Sequence, residues 1–337
     1  TTLDGQFTPG SYQPLRFTFI IWVMVIVGGS GNNLGSIFGG FFIWFMWIEA
    51  EPLSIAFISL LTNGLDYSSP VRMHLIASAP HLRLFIMGSI LLLALRFMPQ
   101  GVIPENVKLI STERFSLGGN SSKNFENFNL ALHVDDNPEN VLANRLLLRD
   151  HYDLPSEPVW INQTHSSICI NASLNDSLVE ADASFSSKPG IVCAILTADC
   201  LPVFIFKKDG TMVGIAHAGW RGLISGVIES LTQSFDCDGK NLHAHLGPAI
   251  SINAFEVGEE IKTLYLSRNN NFSRSFSLRN GKNYLDLYDA AKVILEGLNI
   301  SSVSGGDRCT FEESSHFFSY RRDGVHSGRM AHLIWMS

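Results

Sequence analysis

The chain has 337 residues, with 24 Lys and Arg against 31 Asp and Glu, and 46% of it is hydrophobic. That length leaves room for two domains, and a formal net charge of −7 excludes a chain-wide basic surface for nucleic acid. Five cysteines, an odd number without paired spacing, exclude a disulfide framework and point to a reducing compartment.

The charge is unevenly spread. Residues 1–104 hold Arg16, Arg72, Arg83 and Arg96 against Asp4, Glu49, Glu51 and Asp66, so the whole negative balance belongs to the remainder. Three strongly apolar runs occupy the neutral stretch, at 15–29, 34–48 and 84–98. Each falls short of the ~20 residues of a straight transmembrane helix, but flanking residues can extend it and Arg96 can snorkel to an interface. Gly28-Gly29-Ser30-Gly31-Asn32-Asn33 is a flexible break between the first two. Several apolar runs without a basic start argue against a secretory signal. Buried helices of a soluble domain are the alternative to membrane spans.

The segments VIVGGSGNNLGSIFGG and LRLFIMGSILLLALRFMPQGVIPE resemble the C-terminal part of a branched-chain amino acid ABC transporter permease. Arg96-Phe97-Met98-Pro99-Gln100-Gly101 is a loose version of that family's ending. The resemblance implies an α-helical membrane segment over 1–104, ABC transporter subunits as partners, and an inner (plasma) membrane location. Only a permease tail is present, so no complete transport unit follows. A start at Thr1 is expected for a fragment or an incomplete gene model, and the joint reads equally as a natural fusion or a missed stop.

Residues 99–105 (PQGVIPE) are the expected boundary, because prolines and glycine end the last helix. Residues 138–148 (PENVLANRLLL) then predict an amphipathic helix with proline at its start and Arg145 on it. His133, in an N-L-x-L-H run, reads as structural. Residues 160–165 form a β-like run ending in His165. Asp182 suits either a partner for a ligand histidine or a loop cap, and Asp199 carries the same ambiguity. Residues 191–196 and 201–206 are apolar, β-branched runs flanking Thr197-Ala198-Asp199-Cys200. A third run, 212–216, leads through His217-Ala218-Gly219-Trp220-Arg221-Gly222 into an expected helix at 223–231. Short apolar runs are buried strands, so Cys200 and His217 are expected at strand ends brought together by sheet pairing. His243 and His245 alternate on one strand face and read as packing.

Two imidazoles and a thiolate, from His165, His217 and Cys200, suit zinc or copper, and three protein ligands leave a position open for water. A buried cysteine and a core histidine are the bland alternative.

The segments NQTH, TADCLPV, AHAGWRG, GPAISINAFEVG, DLYDAAK, GDRCTFEESSHFFSYRRDG and SGRMA closely resemble the multicopper polyphenol oxidase, or laccase-domain, family. Its members are described as purine nucleoside phosphorylases and as peptidoglycan editing factors. The resemblance runs from about residue 110 to the end and implies a four-layer α/β/β/α domain with mixed sheets over 105–337. It maps the metal onto His165, Cys200 and His217, the residues also expected to carry catalysis, with Zn2+ or copper as cofactor. Two departures stand out. Ser116 occupies the place of a usual arginine, with Arg114 two residues earlier, and Ser327 replaces a usual threonine.

The implied reaction is metal-dependent phosphorolysis of adenosine, inosine or methylthioadenosine, with adenosine deamination beside it. Nucleoside and phosphate are the small-molecule partners, and Arg221, Arg145 and Arg321 are the substrate-binding candidates. The alternatives are a hydrolase using Cys200 as nucleophile on peptidoglycan precursors and copper-dependent phenol oxidation, for which one trio gives few ligands. A passive tail on a membrane-subunit fragment is a further alternative. The expected topology puts 105–337 in the cytoplasm.

Overall fold

The computed structural model describes residues 14–28, 33–66, 69–98, 107–122, 125–174 and 178–337. They fall into two compact units, residues 1–105 and 106–337. The expected boundary segment, 99–105, and residues 29–32 of the glycine break lie outside the described residues.

The first unit contains helices α1 (Pro14–Gly28), α2 (Asn33–Leu61), α3 (Pro70–Ala77) and α4 (Ala79–Phe97). The second apolar run does not stop at residue 48. It continues through Pro52 as one 29-residue helix, and Ser54 Oγ donates back to the Ala50 carbonyl at 2.6 Å beside the proline. Gly28 and Gly39 let α1 and α2 approach so closely that a Cβ at either would collide with the facing backbone. Ile20, Val23, Ile43 and Met87 fill the unit's interior, while Phe41, Phe45, Phe57 and Leu60 are exposed. Among the described residues, only the stretch Gly35–Leu61 is long and apolar enough to cross a membrane. The runs at 15–29 and 84–98 give the shorter helices α1 and α4, and the single long stretch is a weak signal, since core helices of soluble proteins meet the same test.

The strands of the second unit begin with β1 (Val107–Ser111), β2 (Val159–Trp160), β3 (Cys169–Asn171) and β4 (Ala183–Ser186). The central group is β5 (Cys193–Thr197), β6 (Leu201–Lys207), β7 (Val213–Ala218) and β8 (Leu242–Leu246). After these come β9 (Glu256–Val257), β10 (Phe276–Arg279), β11 (Lys282–Leu285), β12 (Val303–Gly305) and β13 (Met330–Met336). Two mixed sheets result, ordered β1-β13-β5-β2 and β12-β8-β6-β7-β4-β3, with a small antiparallel sheet β10-β11-β9.

The apolar runs in β5, β7 and β13 are buried at every position, because both faces of each mixed sheet are covered. Cys193, Ile195 and Ile334 of the first sheet meet Phe204, Val213 and Ile215 of the second. The outer side of the first sheet packs through Ala194, Leu196 and Leu333 onto Leu148 of α5 (Pro138–His151). The outer side of the second packs through Val203, Ile205 and Ala216 onto α6 (Trp220–Ser225), α7 (Val227–Gln233) and the later helix Leu287–Gly297. The layers therefore run helix, sheet, sheet, helix.

Two local expectations need correction. The single helix expected at 223–231 is two short helices, divided at Gly226, whose φ of 92° only glycine adopts cheaply. His217, expected at a strand end, is the last residue but one of β7. Of the 160–165 run only Trp160 belongs to a strand, the end of β2, and His165 sits in a loop at φ 61°.

Candidate metal centre

Strand register assembles the site. In the antiparallel pairing of β4 and β7, Ala183 faces Ala216, so Asp182 comes opposite His217. In β6 and β7, Leu201 faces Ala218, which sets Cys200, in the β5–β6 turn, against Gly219. A Cβ at Gly219 would lie 2.8 Å from Cys200 Sγ and 3.3 Å from His165 Cδ2, so glycine is what lets these groups converge.

His165 arrives from a different layer. Gln163 ties its loop to the end of β5 by donating to the Leu196 carbonyl (2.8 Å) and accepting from Leu196 N–H (2.7 Å). The buried Asp182 carboxylate then accepts from the N–H groups of Thr164, His165 and Ser166 at 3.2, 3.0 and 2.5 Å. These bonds hold the uncommon left-handed backbone of His165. Asp182 thus does both things its position allows, capping the loop and accepting from His217 Nδ1 at 2.7 Å.

The ligand atoms of His165, Cys200 and His217 all lie within 4.8 Å of one another. Cys200 Sγ is 3.9 Å from His165 Nε2. Donors on one tetrahedral zinc, with bonds of about 2.0–2.3 Å, sit roughly 3.5 Å apart, so the set needs only slight contraction. With Nδ1 of His217 committed to Asp182, its Nε2 is left for a metal, the arrangement usual for ligand histidines. The donor chemistry and spacing fit zinc or copper.

Burial works against the Cys200 thiolate, but the charge on His217 and hydrogen bonds from both histidines outweigh it and bring the thiol down to about 6. Burial likewise disfavours a charged His217, yet the Cys200 thiolate and Asp182 raise it to about 9. The Asp182 carboxyl, which burial would raise, is held at about 2 chiefly by His217 and Ser166. Without metal the trio is therefore a thiolate–imidazolium pair oriented by a carboxylate.

The trio lines a cavity of about 550 Å³. Trp220, Phe255 and Tyr320 give it aromatic surface, and Arg221, Arg321 and Arg329 give it positive charge. Arg221 is exposed, with its guanidinium 4.3 Å from the Trp220 ring centre. Arg321 Nη1 donates to the Ala254 and Glu256 carbonyls. Arg145, expected at the substrate, is elsewhere: its Nε donates to the Leu130 carbonyl and its guanidinium stacks 4.0 Å from Trp160, outside the cavity lining. Arg114 is also outside the lining, stacked between Phe115 and Phe318. His133 and Arg329 line the cavity although neither was expected at the site. Arg329 in the SGRMA segment was the available signal for the second. Both Asp199 oxygens are engaged outside the trio, accepting from Thr310 Oγ1 and Arg321 N–H. His243 and His245 bond to Ser302 and Ser304, as packing residues do.

Residues 109–337 match the family model described as multi-copper polyphenol oxidoreductase laccase. The chain belongs to this family. Among its relatives, the purine nucleoside phosphorylase YfiH of Escherichia coli (strain K12) is 42% identical over 241 residues, covering 71% of this chain and 98% of that protein. The purine nucleoside phosphorylase of Haemophilus influenzae is 38% identical over 240 residues, covering 70% and 97%. The crystal structure of Neisseria meningitidis protein NMB0706 superposes with a TM-score of 0.66 at 41% identity, covering 69% of this chain and 96% of that one. The match to the laccase family begins at residue 109, so it carries no information on residues 1–108.

Proposed function

We propose that residues 106–337 form a metal-dependent purine nucleoside phosphorylase acting on adenosine, inosine or methylthioadenosine, with adenosine deamination as a second activity. The observation that carries this reading is one cavity holding a His–Cys–His donor set, aromatic walls and guanidiniums together. His165, Cys200 and His217 would hold zinc or copper, which when bound supplies Lewis-acid polarisation or an acidified water. Asp182 keeps the proton on His217 Nδ1 and so fixes the tautomer. Trp220, Phe255 and Tyr320 offer ring faces to a purine, and the arginines receive an anion. A single donor trio among the described residues supports one metal ion rather than a multicopper centre.

The test uses the full chain in detergent. Metal content is measured, and adenosine and inosine turnover is followed with and without inorganic phosphate. Phosphate-dependent formation of ribose 1-phosphate, abolished by chelation, is the expected result. Turnover indifferent to phosphate removes the phosphorylase reading.

A second reading has its own observation. Cys200, His217 and Asp182 also make the nucleophile–base–orienter series of a thiol hydrolase, here on peptidoglycan precursors. Covalent trapping of substrate on Cys200 in metal-free protein distinguishes it.

For residues 1–104 the proposed role is a permease-like tail that anchors the enzyme unit at the cytoplasmic face of the inner membrane, against ABC transporter subunits. The apolar Gly35–Leu61 stretch supports it. Protease should reach the enzyme unit in inverted vesicles and not in right-side-out ones; cleavage from the outer face refutes the topology.

A further inference from the structure

Arg329 stands immediately before β13 on the cavity wall, and its position is fixed twice over. Its N–H donates to Asn129 Oδ1 at 2.9 Å, and its carbonyl accepts from Leu130 N–H at 3.2 Å. Its Nη1 donates to the Ser327 and Gly328 carbonyls at 2.6 and 3.0 Å, and its guanidinium lies 5.7 Å from the Tyr320 ring centre. All these partners are neutral. They aim the cation without cancelling its charge.

Among the described residues no carboxylate forms an ion pair with Arg329. Asp199, the carboxylate on the cavity wall, already accepts from Thr310 and Arg321. Arg329 is also partly buried, and burial lowers its pKa below the ordinary arginine value. Desolvating a cation that is in no ion pair is costly, and an anion in the cavity would relieve that cost. The other two arginines fit the role less well. Arg221 and Arg321 both remain exposed to water, whereas Arg329 is partly withdrawn from it. Arg329 and the exposed His133 line the same cavity as the metal trio.

We infer that Arg329 anchors an orthophosphate subsite next to the His165–Cys200–His217 trio, with His133 on the adjoining wall as a second donor. A neutral nucleoside has no use for a desolvated guanidinium, whereas a tetrahedral oxyanion takes two of its N–H groups at once. The inference rests on the phosphorolysis reading for its biological ligand, but phosphate binding is measurable without turnover.

The experiment titrates inorganic phosphate into the metal-loaded full chain by calorimetry and measures the Michaelis constants for phosphate and nucleoside separately. Arg329→Met should weaken phosphate at least tenfold, Arg329→Lys three- to tenfold, and His133→Gln severalfold. The nucleoside constant and metal content should stay within twofold. Lys240→Met, which removes an exposed charge, should leave phosphate binding unchanged. If Arg329→Met loses its metal or its melting transition, Arg329→Lys decides the matter. Wild-type-like phosphate affinity in Arg329→Lys, or no phosphate binding by the wild type, overturns the subsite. Arg329-dependent phosphate binding without phosphorolysis would leave the subsite standing and remove the phosphorylase reading instead.

Discussion

The Asp182 carboxylate joins His217 Nδ1 at 2.7 Å while its backbone carbonyl accepts from the His217 N–H, also at 2.7 Å. Side chain and main chain of the two residues are therefore locked together, both fully or nearly buried. Because the same carboxylate collects the N–H groups of residues 164–166, one side chain governs the orientation of both histidines. Nothing in the loop's own sequence would hold His165 at a positive φ.

Asp182→Asn tests that governance. The amide keeps the volume, but it has one acceptor oxygen where the carboxylate accepts five hydrogen bonds from Thr164, His165, Ser166 and His217. Metal affinity should fall roughly 10–100-fold, the usual cost of losing a histidine's outer partner. Competition against a chromophoric chelator measures it, and wild-type affinity would show that the histidines hold their places unaided.

Gly219→Ala should be more selective. The new methyl would lie within 2.8 Å of Cys200 Sγ, while Gly219 itself has an ordinary negative φ, so the backbone tolerates alanine. The expected outcome is loss of stoichiometric metal with a melting temperature lowered by only a few degrees, equivalent to about 1 kcal/mol. Full metal occupancy in the variant would mean that the turn at 198–200 yields easily.

A third prediction concerns acid stability. His332 is completely buried on β13 between Ser111 Oγ (2.8 Å) and Thr197 Oγ1 (2.7 Å), and burial, with the His217 charge, lowers its pKa to about 3. The unfolded imidazole titrates near 6.5, so between these values the unfolded chain binds more protons and stability falls as pH falls. Going from pH 7 to pH 5 should cost about 2 kcal/mol from this group. Thermal melts of wild type and His332→Gln across that range should converge at the acid end. Parallel curves would show that His332 is not held neutral.

The strands at the heart of the fold were legible because β5, β6 and β7 are nearly uniform apolar runs bounded by polar breaks. The His–Cys–His trio was legible as a donor set because two imidazoles and a thiol at such breaks suit zinc or copper, and the family resemblance maps the metal onto the same residues. Register was not legible. Nothing in the sequence says that Ala183 faces Ala216, and that pairing alone gives His217 its carboxylate. Arg145 illustrates the opposite failure: an arginine on an amphipathic helix looks available until Trp160, from another element, covers it. Arg329 was not legible as a site residue, because its place on the cavity wall and its partial burial come from the fold and not from its local sequence.

The last prediction separates ligand from nucleophile at Cys200. Its thiol, lowered to about 6, should be mostly thiolate at pH 7.5 in metal-free protein, whereas burial raises Cys169 to about 11 and Cys193 to about 12. Iodoacetamide should therefore label Cys200 well before those two, at a rate level above pH 7 and falling about tenfold per unit below pH 6. If Cys200 is a metal ligand, one equivalent of zinc should suppress the labelling, and activity should vanish on chelation and return with metal. The Asp182–His217 contact serves this role by directing Nε2 inward beside Sγ. If Cys200 is a nucleophile, metal-free protein should remain active and a covalent adduct should accumulate on that residue during turnover. Peptide mass mapping after a single turnover, with and without chelator, gives the answer: an adduct in the metal-free sample assigns Cys200 as the attacking group and removes the metal from the reaction.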